Sequence, residues 1–282
     1  MTHWKLTLAY DGTPFHGWQI QPGLPTVQGF LSDAIHRTVG ERILPQGSGR
    51  TDTGVHALGQ VASFSLAAPI PTANLQRALN RCLPPSVRIL SVETVPPVFH
   101  ARHSAIRKTY EYRIFPLCAP PLESRISDFE PDLICPPILA PYVWPCPWPV
   151  DLAALNDAAR HVLGTHDFTT FAAADPDLAT RANAEPAPAP IRTITRSQWL
   201  SHDGLVIYRV TANGFLHHMV RNLVGTFVQA GARRLSPDSI PDLLAARNRA
   251  AAGPTAPPQG LFLVNVEYPS LEPGASNLEP NE

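Results

Sequence analysis

Hydrophobic and polar residues alternate along Trp4-Lys5-Leu6-Thr7-Leu8-Ala9-Tyr10-Asp11 with a period of two, so the fold opens on a strand that buries one face. After a loop rich in Gly and Pro the period changes. Val27, Phe30, Leu31 and Ile35 fall at helical spacing, Thr26 stands where an N-cap belongs, and Gly40 supplies a stop. A short strand near Ile43, a Gly-rich turn, a strand over Gln60 to Leu66, a helix over Thr72 to Cys82 and a strand over Val87 to Val95 follow. The order is β-α-β-β-α-β, the ferredoxin-like unit.

The second half repeats the theme. Lys108 to Ile114 reads as a strand, and Leu152, Leu155, Ala159 and Val162 mark a helix. Arg192 to Leu200 and Leu205 to Val210 form a hairpin turning at Asp203-Gly204. A long helix over His217 to Ala232, a shorter one over Pro237 to Arg247 and a strand over Leu261 to Tyr268 complete it. The pattern predicts an α+β fold of two ferredoxin-like halves, 1–106 and 107–269, with a tail over 270–282 expected to be disordered. Proline clusters over 116–150 and again over 184–190. Because it cannot donate to a ladder or continue a helix, both stretches are expected to lie outside the core.

The chain has 282 residues, 44% of them hydrophobic, enough for a packed core without staples. No apolar run approaches the roughly 20 residues needed to cross a bilayer, and Met1 to Leu6 enters a strand pattern without a signal-peptide core. A soluble, cytoplasmic protein is expected. Cys82, Cys118, Cys135 and Cys146 lack paired metal-ligand spacing and read as free thiols. The net charge of −1 argues weakly against a nucleic-acid binder. The distribution alters that picture, since His100 to Arg113 holds Arg102, Arg107, Lys108 and Arg113 against only Glu111. The same run also reads as a solvated surface face.

The densest chemical signal is Gly47-Ser48-Gly49-Arg50-Thr51-Asp52-Thr53-Gly54-Val55-His56-Ala57, between two predicted strands. Its three glycines allow positive φ or close backbone approach around one carboxylate and one guanidinium. It leads into a strand rather than a helix, which sets aside a Walker-type phosphate loop. An ordinary turn, with Asp52 capping backbone N–H groups, is the alternative. On the long C-terminal helix Arg221 shares a side with Val224, Gly225 and Val228 and is expected to point inward. A buried guanidinium needs a partner, and Asp52 is the candidate; another acid would serve a purely structural bridge equally well. His217 and His218 are neighbours, and adjacent helical residues point about 100° apart, so no shared metal-ligand face is expected. Tyr110 and Tyr112 share a strand face, where an aromatic beside a basic cluster could stack on an unpaired base or pack in the core.

Taken in order, Tyr10-Asp11-Gly12-Thr13-Pro14-Phe15-His16-Gly17-Trp18-Gln19, Thr26-Val27-Gln28, Gly49 to Ala57, Phe99-His100-Ala101-Arg102, Arg107 to Tyr112, Phe215 to Arg221 and Thr255 to Leu261 closely resemble the tRNA pseudouridine synthase A family. The resemblance covers nearly the whole chain. It implies two halves joined in one extended mixed or antiparallel sheet, with helices on one side. It further implies that Asp52 is the nucleophile, that Tyr110 stacks on the target uracil and that Arg221 pairs with the nucleophile. Arg50, His56, Arg102, Arg107 and Lys108 become candidates for gripping the RNA. The implied activity is isomerisation of uridines 38 to 40 in the anticodon arm of tRNA, by a homodimer using no cofactor and no metal. A non-catalytic RNA-binding protein on the same fold, or a metabolic α+β protein, are the rival readings. The Pro-rich stretch over 116–150 departs from the family's usual length and has no assigned role.

Overall fold

The structure is a computed structural model and describes residues 1–118, 134–174 and 189–269. The proline cluster at 184–190 lies almost wholly outside these residues, as do 119–133 of the first cluster and the tail from 270.

In the first half β1 (Thr2–Tyr10), α1 (Val27–Val39), β2 (Gln46–Gly47), β3 (His56–Leu66), α2 (Thr72–Cys82) and β4 (Val87–Thr94) follow the expected order. Thr26 caps α1 by accepting from the Gly29 N–H, and Gly40 ends it in the left-handed region at φ 78°. The second half runs β5 (Arg107–Pro116), β6 (Trp144–Cys146), α3 (Leu152–Arg160), β7 (Gly164–Asp167), β8 (Ile191–His202), β9 (Leu205–Ala212), α4 (Met219–Gly231), α5 (Ile240–Ala246) and β10 (Leu261–Glu267).

The two halves share one pairing scheme. In the first, β1 lies between β3 and β4, and β2 adds to β3; in the second, β5 lies between β9 and β10, and β8 adds to β9. A parallel contact of β10 with β3, Phe262 opposite His56 and Leu263 opposite Ala57, joins them into one ten-stranded mixed sheet. It is an α+β fold of two ferredoxin-like units. Alternate residues of β1 (Trp4, Leu6, Leu8, Tyr10) and β5 (Tyr110, Tyr112, Ile114) are buried, as expected of a sheet that packs its helices on a single face.

Two expectations need correction. The strand near Ile43 forms instead at Gln46–Gly47. Pro45 lacks an N–H for a ladder, and its carbonyl and that of Ile43 accept side-chain bonds from Gln28 and Ser32 of α1. The Pro-rich stretch also does not stay wholly outside the core. Val143, Trp144 and Cys146 are buried, and β6 pairs in parallel with the end of β5, from Ile114–Trp144 to Pro116–Cys146. This is possible because β10 covers β5 only as far as Tyr112, leaving its end open to a short edge strand, where a proline is tolerated.

Candidate active site

The loop between β2 and β3 is held from below by its neighbours. Buried Ser48 donates to Gln60 Oε1 at 2.6 Å, and Gln60 Nε2 donates to the Gly49 carbonyl at 2.9 Å. Tyr10 bonds Thr51 through their hydroxyls at 2.9 Å, and the Trp18 N–H donates to the Thr51 carbonyl at 3.0 Å. The Tyr10-to-Trp18 segment needs its glycines for this contact. A Cβ on Gly12 would lie 2.1 Å from the Val55 carbonyl oxygen, and one on Gly17, at φ +83°, 2.5 Å from that of Thr51.

Within the loop the Asp52 carbonyl accepts from the Val55 N–H at 3.1 Å, closing a turn, while its carboxylate faces α4. The capping alternative is thereby set aside, since among the described residues the carboxylate's partners are all side chains. Arg221 Nη1 donates to Oδ2 at 2.9 Å, His218 Nε2 lies 3.3 Å from Oδ2, and His217 Nε2 lies 3.5 Å from Oδ1. Every residue of α4 except Arg221 and Gln229 is buried, so the helix is a fixed support. Arg221 is anchored by donation from Nε to the Ala256 carbonyl at 2.8 Å, and the Ala256 N–H returns a bond to the Arg221 carbonyl. Gly225, one turn along, lets the 254–256 segment approach; a Cβ there would sit 1.7 Å from the Pro254 carbonyl oxygen.

Burial alone would raise the Asp52 pKa. The hydrogen bond from His217 and the charges of His218 and Arg221 outweigh it, and the carboxyl is held below its usual range. His218 is shifted down, chiefly by burial, although the Asp52 charge opposes this. The result is an ionised, oriented carboxylate whose side chain keeps 23% of its surface open.

The histidines also depart from expectation. The helix begins at Met219, not His217, and His218 adopts the left-handed conformation at φ 57°. Their rings therefore do not diverge as on a helix but lie 3.9 Å apart between centroids, both on Asp52. The left-handed region admits histidine more readily than most residues, but periodicity carries no sign of such a break.

Tyr110 lies on β5 between Val210 and Leu263, buried, with its ring edge-on to Phe215 at 5.0 Å. Burial first, then Tyr10 and the Asp52 charge, push its phenol well above the ordinary value, so it stays neutral. Tyr112 turns its hydroxyl to the Pro257 carbonyl at 2.7 Å and is core.

The basic run divides. Arg50, within the loop, and Arg102, whose charge is felt by Lys108, are both exposed. Lys108 Nζ donates to the Ser48 carbonyl at 2.5 Å, tying β5 to the root of the loop, and its pKa falls to about 8 through burial and then the charges of Arg102 and Arg192. Arg107 is engaged at the surface with Glu267 at 3.2 Å. Arg113 is spent on Glu111, a buried acid that Arg209 also holds. His56 does not join the group. It is fully buried, its Nδ1 accepts from the Gly12 N–H at 3.0 Å, its Nε2 donates to the Pro141 carbonyl at 3.1 Å, and its ring stacks on Phe262.

Sequence reasoning missed Tyr10, Ser48 and Gln60 beneath the loop. It also missed Arg249, whose guanidinium donates to Asn222, Thr255 and the Gly253 carbonyl and so braces the segment that anchors Arg221. Tyr10 and Ser48 lie in segments the motifs mark, but the supporting role of all four depends on partners from other segments, which no local pattern reveals.

The α+β sheet thus carries, among the described residues, an ionised and partly exposed carboxylate held by an arginine and two histidines. Comparison with known sequences is specific: the profile of the tRNA pseudouridine synthase family matches residues 7–104 and 158–269. The chain belongs to that family. It is 45% identical over 265 residues to the tRNA pseudouridine synthase A of Solibacter usitatus, covering 94% of this chain and 98% of that one. The enzymes of the same name from Moorella thermoacetica and Methylobacterium radiotolerans are 44% and 42% identical, over 94% and 95% of this chain and 98% of each of theirs.

Proposed function

We propose that this protein isomerises uridine to pseudouridine in tRNA, at positions 38, 39 and 40 of the anticodon arm, with Asp52 as nucleophile. The observation that carries the reading is the Asp52 carboxylate, ionised, fixed at 2.9 Å by Arg221, flanked by His217 and His218, and still 23% exposed. A carboxylate so held can attack C1′ of the target ribose or assist its elimination to a glycal as the N1–C1′ bond breaks. The base then rotates, C5 bonds to C1′, C5 gives up its proton and N1 takes one. A uridine in a stem must leave the stack, at a cost of a few kcal/mol, and the Tyr110 ring is a surface on which it can rest. A phenol held neutral favours this platform role over that of a phenolate base. Arg50 and Arg102 supply phosphate contacts, with Arg107 once it leaves Glu267. Lys108 contributes charge at the loop root, and His56 contributes structure rather than grip.

The resemblance further implies a homodimer acting in the cytoplasm, with one tRNA touching both subunits, and we adopt that arrangement. Among the described residues no helix is long and apolar enough to cross a membrane. A non-catalytic RNA binder would have no need of an ionised acid held by three cationic or polar side chains. Incubation with an unmodified tRNA transcript, followed by carbodiimide labelling and primer extension, tests the reading. New stops immediately 3′ of positions 38 to 40 are expected; their absence contradicts it.

A further inference from the structure

Asp52, His217 and His218 offer three ligand atoms, two imidazole nitrogens and a carboxylate oxygen, all within 4.8 Å of one another. The spacing suits a single ion. His217 Nε2 lies 3.5 Å from Oδ1 and His218 Nε2 3.3 Å from Oδ2, so each imidazole nitrogen approaches its own carboxylate oxygen; tetrahedral zinc with bonds of about 2.0 to 2.1 Å sets neighbouring ligand atoms about 3.3 to 3.4 Å apart, a spacing the three side chains reach by small rotations.

A second observation is independent of that spacing. His217 Nδ1 lies 2.8 Å from the Ala174 carbonyl oxygen, which can only accept, so Nδ1 carries the hydrogen. In the neutral ring the lone pair then sits on Nε2, the nitrogen facing Asp52, which is the one a metal ion would take. A backbone carbonyl holding the far nitrogen of an imidazole is the outer-shell arrangement that orients metal-binding histidines. Histidines and a carboxylate together select zinc and its transition-metal neighbours over magnesium or calcium.

We propose that this cluster reversibly binds a divalent transition-metal ion of the zinc class, and that occupancy switches the enzyme off. The ion takes the carboxylate lone pairs that the ribose would meet. Arg221, 2.9 Å from Oδ2, opposes a cation, so the site is suited to an inhibitor that leaves rather than to a resident metal. The inhibitory half rests on Asp52 being the nucleophile; the binding half does not.

Equilibrium dialysis of the whole protein against Zn2+ alone, without tRNA, reads the binding half. Wild type is expected to retain a single zinc per chain. His217→Ala and His218→Ala each remove a ligand and should weaken binding by more than the roughly 10–100-fold that follows from disturbing only the groups behind the ligands. His218→Gln, checked by circular dichroism, guards against misfolding of the alanine variants. His100→Ala/His103→Ala, which removes another close histidine pair with centroids 4.3 Å apart, should leave binding unchanged. Pseudouridine formation by wild type should fall with a midpoint matching the dialysis, and EDTA should restore it. Absence of bound zinc, or binding that survives in all the His217 and His218 variants, overturns the site. Zinc bound at this cluster without loss of activity overturns the switch, and if Asp52→Asn is inactive in the same assay, that failure belongs to the switch and not to the assigned nucleophile.

Discussion

Arg221 and Asp52 stand 169 residues apart in the chain and meet at 2.9 Å, one from each ferredoxin-like unit. The contact helps hold the Asp52 carboxylate ionised and ties the loop between β2 and β3 to the buried helix α4. Arg221 can do both only because its guanidinium is forked, giving Nε to the Ala256 carbonyl and Nη1 to the carboxylate.

Arg221→Lys loses one arm of that fork. Its kcat should fall by about 10²–10³-fold, the range seen when a preorganised donor at a reacting centre is removed. Steady-state kinetics on a single tRNA transcript check this. A kcat within a fewfold of wild type would mean that the fork is not needed.

The acid limb of the pH profile follows from the same pair. The Asp52 pKa is depressed, so activity that requires the carboxylate persists as pH falls until that depressed value is reached. Arg221→Met removes one cause of the depression, and the acid limb of its residual kcat/KM should shift to higher pH. A shift to lower pH would contradict the assignment.

Lys108 gives a stability test of opposite sign. Its folded pKa, about 8, is below the ordinary lysine value of 10.5, so the unfolded chain binds more protons between those limits. Charged Lys108 therefore costs stability at pH 7, and that cost is relieved as pH rises through 8 towards 10.5. Wild type should gain in Tm relative to Lys108→Met over this window; a constant difference would show that the amine is not desolvated.

Tyr110 separates ring from hydroxyl. Tyr110→Phe keeps the platform and should hold KM for tRNA near the wild-type value, whereas Tyr110→Ala should lose about 1–3 kcal/mol of binding, the worth of one base stacked on an aromatic ring. Equal losses in both variants would place the binding contribution in the hydroxyl instead.

Gly225→Ala tests how the arginine is anchored. The added methyl would fall 1.7 Å from the Pro254 carbonyl oxygen, and backbone cannot swing aside as a side chain can. Overpacking of this kind costs about 1–3 kcal/mol. Thermal melts should show the loss, together with a fall in kcat as the Ala256 acceptor moves from Arg221.

What could be read from sequence follows the range of the forces involved. The cap at Thr26, the stop at Gly40 and the turn at Asp203-Gly204 are local, and each lies where the pattern places it. The inward face of Arg221 is likewise helical periodicity; the cost of an unpaired buried charge demands a partner and makes Asp52 the candidate, and the fold brings the two together. The exceptions are non-local. Strand β6 forms because the end of β5 has an open edge, which no proline count reveals. His56 sits in a motif that looks functional, yet it is consumed by the Gly12 and Pro141 backbones. The paired histidines depend on one left-handed residue at the start of α4.

The claim on which the account turns is that Asp52 is the nucleophile. Tritium release from tRNA labelled at uridine C5 measures its consequence directly, because C5 must surrender its hydrogen when the new bond to C1′ forms. Wild type should release tritium, and Asp52→Ala should release none while still binding tRNA. Release by Asp52→Ala at a rate near wild type, or none from wild type itself, would contradict the account.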